Sequence, residues 1–150
     1  GVAFNPYLDD AAAERQSLEA KCAGAGVSSV WLQFGNDLEA LDRELAWLRG
    51  AFPTLDVVGS VFLPTKKLIA QQKFRPWNGV VLSEEYLSGP EGAARVTRAL
   101  LDVYRKYGVQ ALVEAPGVRT AKDLAVVAEL FPAPATADGA AAPSKRRRRA

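Results

Sequence analysis

The sequence predicts an α/β fold built from parallel βα units, and three observations point to it. Short β-branched and aromatic runs, Val27–Phe34, Leu55–Leu63 and Val109–Val113, alternate with longer helical patterns. Strand starts recur roughly every 25 residues. Gly, Pro, Asn and Asp fall at the junctions, where turns and caps need them. Such alternation implies a mostly parallel sheet with right-handed crossovers. Functional groups should then gather at the C-terminal ends of the strands. Five strands suit a small open sheet of flavodoxin type or part of a barrel, and periodicity leaves both open.

Taken in order, Val2-Ala3-Phe4 forms a strand that ends at Asn5-Pro6. Asp9 or Asp10 caps a helix running to about Ala23, which Gly24 and Gly26 stop. The strand at 27–34 then ends abruptly on Gln33, Gly35, Asn36 and Asp37. Asn36 caps a second helix, with Glu39 completing a capping box. Leu38, Leu41, Leu45 and Leu48 give that helix its apolar face, and Gly50 and Pro53 end it. The strand Leu55–Leu63 passes through Pro64-Thr65 into a basic helix from Lys66 to about Lys73. Val80-Val81-Leu82 reads as a short strand ending in Ser83-Glu84-Glu85. Pro90 opens the next helix, whose buried side carries Val96, Leu100, Val103, Tyr104 and Tyr107. After the strand at 109–113, Thr120 caps a last helix reaching about Leu130. The expected domain is 1–131, and the Ala- and Pro-rich 132–150 reads as a disordered linker and basic tail.

The composition narrows the chemistry. The chain has 150 residues, 49% of them hydrophobic, enough for one domain with a sizeable core. No apolar run approaches the ~18 residues of a membrane span. The chain begins at Gly1 with no signal-peptide pattern, which suggests processing or a piece of a longer protein. Cys22 is alone, so no internal disulfide forms, and there is no His. The commonest general base is therefore missing, and a zinc site is not expected. The net charge of +2 is concentrated at one end: Lys145 and Arg146 to Arg149 supply five of the 19 basic residues. Without the segment from Phe131 onward, 14 basic residues face 16 acids. That balance argues against a dedicated nucleic-acid face. The basic run reads as a nuclear-import signal, a phosphate-backbone contact or a solvated tail, and the cytoplasm is the default compartment.

Candidate groups at the strand ends are Asn5, Gln33, Asn36, Asp37, Thr65, Lys66, Glu84, Glu85 and Glu114. Amides and carboxylates there can hold a heterocycle through paired hydrogen bonds, although Asn36 and Asp37 read equally as helix caps. Gln33 interrupts an apolar run directly after Val30-Trp31-Leu32, which favours a functional role. Glu84 and Glu114 are acid/base candidates, and adjacent Glu84 and Glu85 cannot both face one site from a strand. Lys66, Lys67, Lys73 and Arg75 form either a phosphate contact or a plain exposed face. No nucleophile has a base beside it in the sequence.

Three pieces of the chain, in order, resemble the second half of a methylenetetrahydrofolate reductase barrel, a flavin-dependent (β/α)₈ family. Val2-Ala3-Phe4-Asn5-Pro6 resembles its fifth strand, and Lys21 to Gly26 the end of the following helix with one residue inserted. Leu32-Gln33-Phe34-Gly35-Asn36-Asp37 resembles the family's glutamine strand, and Val57 to Pro64 its seventh. The likeness spans roughly residues 1–115. It implies the C-terminal half of a barrel that moves hydride between NAD(P)H, FAD and a folate-type one-carbon substrate, chemistry that feeds methionine biosynthesis. Gln33 would hold the pterin, with Gln71 an approximate match for a second substrate glutamine. Lys21 would approach the flavin's phosphate or ribityl chain, and Phe4 takes the place of a flavin-contacting tyrosine. The departures are the fifth-strand motif, Phe4-Asn5-Pro6 without the family's Glu and His, and Gly35-Asn36 in place of a Phe. The family's first four strands, with their acids and much of the flavin site, have no counterpart. An open half-barrel then needs an N-terminal half or self-association to cover its edges. A catalytically inactive relative that binds a ligand or partner is the alternative expectation.

Overall fold

The computed structural model describes residues 1–24, 26–115 and 120–131. They form two compact units, Gly1–Val118 and Arg119–Ala150. In the first, β1 (Val2–Phe4), α1 (Ala11–Gly24), β2 (Ser29–Leu32), α2 (Leu38–Ala51) and β3 (Asp56–Phe62) alternate. Three helices follow, α3 (Lys66–Phe74), α4 (Glu84–Ser88) and α5 (Pro90–Lys106), before β4 (Gln110–Glu114). Within the second unit, α6 spans Ala121–Leu130. The disordered tail expected at 132–150 lies outside the described residues.

The four strands are all parallel and lie in the order β1-β2-β3-β4. The consecutive order carries the main architectural information. Right-handed crossovers stepping always in one direction put the helices that connect the strands on the same face of the sheet, whereas a doubly wound sheet reverses direction and covers both. The side chains agree with a covered helix face, and Phe62 at the end of β3 is the residue of the opposite face that packs, on Phe34 and Trp77. Register aligns Phe4 with Leu32 and Leu32 with Gly59. Phe4, Val30, Leu32, Val57 and Val61 are buried on that face. Phe4 packs its ring 5.9 Å from Trp47 of α2. Tyr104 of α5 presses so close to Gly59 that a Cβ there would stand 2.3 Å from the ring. On the opposite face Trp31 is 46% exposed and Leu112 40% exposed.

Leu18 of α1, Leu41, Leu45 and Leu48 of α2, and Leu100 of α5 fill the space between sheet and helices. Glu44 lies among them, 1% exposed. Arg15 meets it with a bidentate pair at 2.8 and 2.9 Å, and Arg43 at 3.1 Å. A buried carboxylate is tolerated only when paired in this way.

The structure corrects three expectations. Val80-Val81-Leu82 is not a strand, so the sheet has four strands and not five. In place of a strand ladder, Val80 N–H donates to Trp77 C=O and Val81 C=O accepts from Asn36 N–H, while side chains hold the flanking Gly79 and Ser83. Glu84 and Glu85 consequently begin α4, with Ser83 as its cap, and do not end a strand. The cap of α2 is Asp37, whose carboxylate accepts from Ala40 N–H, because Asn36 is engaged elsewhere.

Candidate functional site

The parallel order brings the C-terminal ends of β1, β2 and β3 together. A strap, residues 77–83, is tied down there at every second residue. Trp77 N–H donates to Gln72 Oε1 at 3.1 Å. Gly79 C=O accepts from Asn5 Nδ2 at 3.1 Å. Val81 C=O accepts from Asn36 N–H at 3.0 Å, and Ser83 N–H donates to Asn36 Oδ1 at 2.7 Å. Gly79 turns the strap with φ +73°, a value that L side chains rarely adopt. Trp77 packs on Phe62 at 5.3 Å between ring centroids, and Phe62 on Phe34 at 4.7 Å. These rings join Ile69, Tyr86, Ala93 and Val96 in a satellite core beneath the strap.

The predicted amides therefore divide. Asn5 is fully committed: its N–H donates to Glu14 Oε1, its Oδ1 accepts from Tyr7 N–H, and its Nδ2 holds Gly79. Asn36 is 2% exposed and holds the far end of the strap. Gln33 differs from both. It is half-buried, its N–H is held by Phe4 C=O, and its Oε1 accepts from Phe34 N–H. Its Nε2 has no hydrogen-bond partner among the described residues and lies beside Asn5 Nδ2, both within 3.5 Å of where a Cβ on Gly79 would stand.

The remaining candidates are not gathered at this point. Asp37 is exposed and spent on its cap. Glu84 is exposed in the first turn of α4, and Glu85 pairs with Arg95 at 2.9 Å. Glu114 is half-buried at the end of β4, in register with Phe62. Thr65 caps α3 by accepting from Leu68 N–H. Lys66, Lys67, Gln71 and Lys73 lie on the exposed side of α3, and Arg75 is exposed just past its end. Phe4 is turned into the helix-side core, and Lys21 donates to Ala3 C=O at 3.3 Å.

Sequence reasoning missed Tyr7 and Gln72. Tyr7 donates to Gly35 C=O at 2.9 Å inside the fold, and burial, with smaller contributions from Tyr104 and Asp37, pushes its phenol well above the ordinary value. The signal for Tyr7 was an aromatic placed just past Asn5-Pro6, where an Asx turn carries the chain inward. Gln72 carried no such signal, since it sits at a helical position that reads as surface. Among the described residues no group of three or more His, Cys, Asp or Glu side chains is placed to hold a metal. No described helix is long and apolar enough to cross a membrane. Set against models of known protein families and against curated proteins, the chain matches none.

Proposed function

We propose that this chain is the substrate-side part of a (β/α)₈ barrel of the methylenetetrahydrofolate reductase type, with Gln33 holding a folate-type heterocycle. The observation that carries the reading is the free Nε2 of Gln33 at the C-terminal end of β2. Asn5 Nδ2 is tied to the strap and Asn36 Nδ2 is buried beneath it, so Gln33 is the partly exposed strand-end amide with a donor to offer. The consecutive strand order and single helix layer support the barrel, whose interior would be the face carrying Trp31 and Leu112. Closure requires further strands, from an N-terminal half or another copy. In the family, hydride passes between NAD(P)H, FAD and the one-carbon substrate, and that chemistry belongs to the cofactor. This chain's share is to orient the substrate through Gln33, with Lys21 near the flavin as the resemblance implies and the flavin's other contacts supplied by the further strands.

The second reading is a catalytically inactive relative that binds a ligand or partner. Two observations favour it: Phe4 is used in the core, and Asn5, which stands in the family's acidic motif, is spent on Glu14, Tyr7 and Gly79. The test is folate binding by the full chain, followed by tryptophan fluorescence, together with the visible spectrum after incubation with FAD. Folate binding that Gln33→Ala weakens about tenfold without loss of stability supports the Gln33 assignment. Flavin uptake in addition supports the reductase reading, and folate binding without it supports the inactive relative. A chain that binds no folate under either condition overturns the Gln33 assignment and with it the reductase reading.

A further inference from the structure

Phe74 is 93% exposed, the most exposed large hydrophobic side chain among the described residues. A single exposed apolar residue is ordinary by itself. The setting of Phe74 is what distinguishes it. α3 buries Leu68, Ile69 and Gln72 against the fold. With about 3.6 residues per turn, Lys67, Ala70, Gln71 and Phe74 fall at i, i+3, i+4 and i+7 along the opposite side. All four are exposed. Lys66 and Lys73, also exposed, flank this row, and Arg75 follows just beyond the helix end. The ring of Phe74 therefore stands on the crest of α3 among cations.

These cations are not neutralised by the fold. Arg15, Arg43, Arg95, Arg105 and Lys106 each meet a carboxylate. Lys66, Lys67, Lys73 and Arg75 have no ion pair among the described residues, and α3 contains no acid. Lys66 shares a cleft with Glu91, so the charge of the patch rests mainly on Lys67, Lys73 and Arg75. Such a face calls for an anionic partner with an apolar layer. Its shape selects which. A peptide is held in a groove or along a strand edge, and a nucleic-acid strand in a charged groove with rings for successive bases. Here one ring stands on a convex helix. A bilayer needs no groove: the cations meet anionic headgroups, and the acyl boundary closes around an inserted ring. Attachment of this kind involves one leaflet and no spanning segment.

We propose that the exposed face of α3 docks on an anionic membrane surface, with Phe74 entering the headgroup boundary and Lys67, Lys73 and Arg75 on the headgroups. The probe is vesicles of equal parts phosphatidylserine and phosphatidylcholine, co-sedimented with the full chain, beside vesicles of phosphatidylcholine alone. Binding is expected to the mixed vesicles only, and to weaken as salt is raised. Lys145 and Arg146 to Arg149 would also attract anionic lipid, so a chain carrying K145Q, R146Q, R147Q, R148Q and R149Q is measured in parallel and should still bind. In that background Phe74→Ser should weaken binding about tenfold, while Phe74→Leu retains it. Lys67→Gln and Lys73→Gln should each weaken it about fivefold. All four side chains are exposed, so the urea midpoint should stay in place and a loss of binding is not a loss of fold. No binding, equal binding to both vesicles, or binding that disappears with the tail charges alone would overturn the proposal. So would an unchanged affinity in Phe74→Ser. A single-stranded oligonucleotide or poly-aspartate held more tightly than the mixed vesicles through these same residues would replace the lipid with that partner.

Discussion

Lys21 Nζ donates to the carbonyl oxygen of Ala3 at 3.3 Å, so the last turn of α1 reaches over the outer edge of β1. Phe4 C=O accepts from Gln33 N–H, facing β2, and parallel pairing alternates. Ala3 and Asn5 therefore turn their backbone groups away from the sheet. Lys21 takes the first of these, and Glu14 Oε1 takes Asn5 N–H at 2.9 Å. An uncovered edge strand recruits other strands, and a lysine placed on it is a recurring defence. Lys21→Ala combined with Glu14→Ala should raise self-association, read by sedimentation velocity. Folding stability should change by only about 1 kcal/mol, as expected for partly exposed hydrogen bonds. An unchanged association state would show that the edge is protected in some other way.

Gly59 and Tyr104 make a sharper test of the one-sided helix layer. The ring of Tyr104 occupies the space that a side chain at position 59 would need, and its Oη donates to Ser60 C=O. Gly59→Ala should destabilise the fold by about 1–3 kcal/mol, the usual range for overpacking. Tyr104→Leu in the same chain should recover part of that loss, because the two residues are in contact and their effects are not additive. Urea unfolding of the two single variants and the double variant measures the coupling. Strictly additive losses would mean that α5 does not bear on β3 at this point.

The alternation of strands and helices was legible because burial on a pleated strand and on a helical stripe leaves different periods in sequence. Val57, Val61, Leu41, Leu45 and Leu48 carry that signal directly. Val80-Val81-Leu82 has the same local look as a strand and is not one. What decides its state is whether a partner strand is available: here Val80 N–H turns back to Trp77 C=O and Val81 C=O meets Asn36 N–H, while the side chains of Gln72, Asn5 and Asn36 hold the flanking Trp77, Gly79 and Ser83. The same non-locality hid the fate of the strand-end amides. Asn5, Gln33 and Asn36 look alike in sequence, and only the strap's position separates the two amides that hold it from the one, Gln33, whose donor is free and partly exposed.

Stability should fall in alkali. Burial pushes the phenol of Tyr86 up to about 12, and Tyr104 further, with Tyr7 raised well above its ordinary value by the same cause. In the unfolded chain these phenols release protons near pH 10. Between that point and the raised folded values the native state binds more protons than the unfolded one, so stability decreases as pH rises. The contribution is present in full below about pH 10 and is lost progressively toward pH 12, at up to about 1.4 kcal/mol per pH unit for each phenol. The urea midpoint should hold steady up to about pH 9 and drop at about pH 11. Tyrosinate absorbance should appear together with unfolding; native phenols that titrate near 10 would contradict the burial of these three rings.

The strap separates structural amides from the binding amide by experiment. Asn36→Ala removes the acceptor for Ser83 N–H, and Asn5→Ala the donor to Gly79 C=O. Each variant should cost about 1–2 kcal/mol, since a buried backbone group loses its partner. Each should also speed hydrogen exchange at Val80 and Ser83 relative to Val57 and Val61 in β3, because the strap opens locally before the sheet does. Gln33→Ala should do neither, as the Gln33 side chain holds nothing but its neighbour's amide. If instead Gln33→Ala loosens the strap as much as Asn36→Ala does, then Gln33 serves as a third clasp. The free donor that supports its binding role would then have a structural purpose, and the folate reading would lose the observation that carries it.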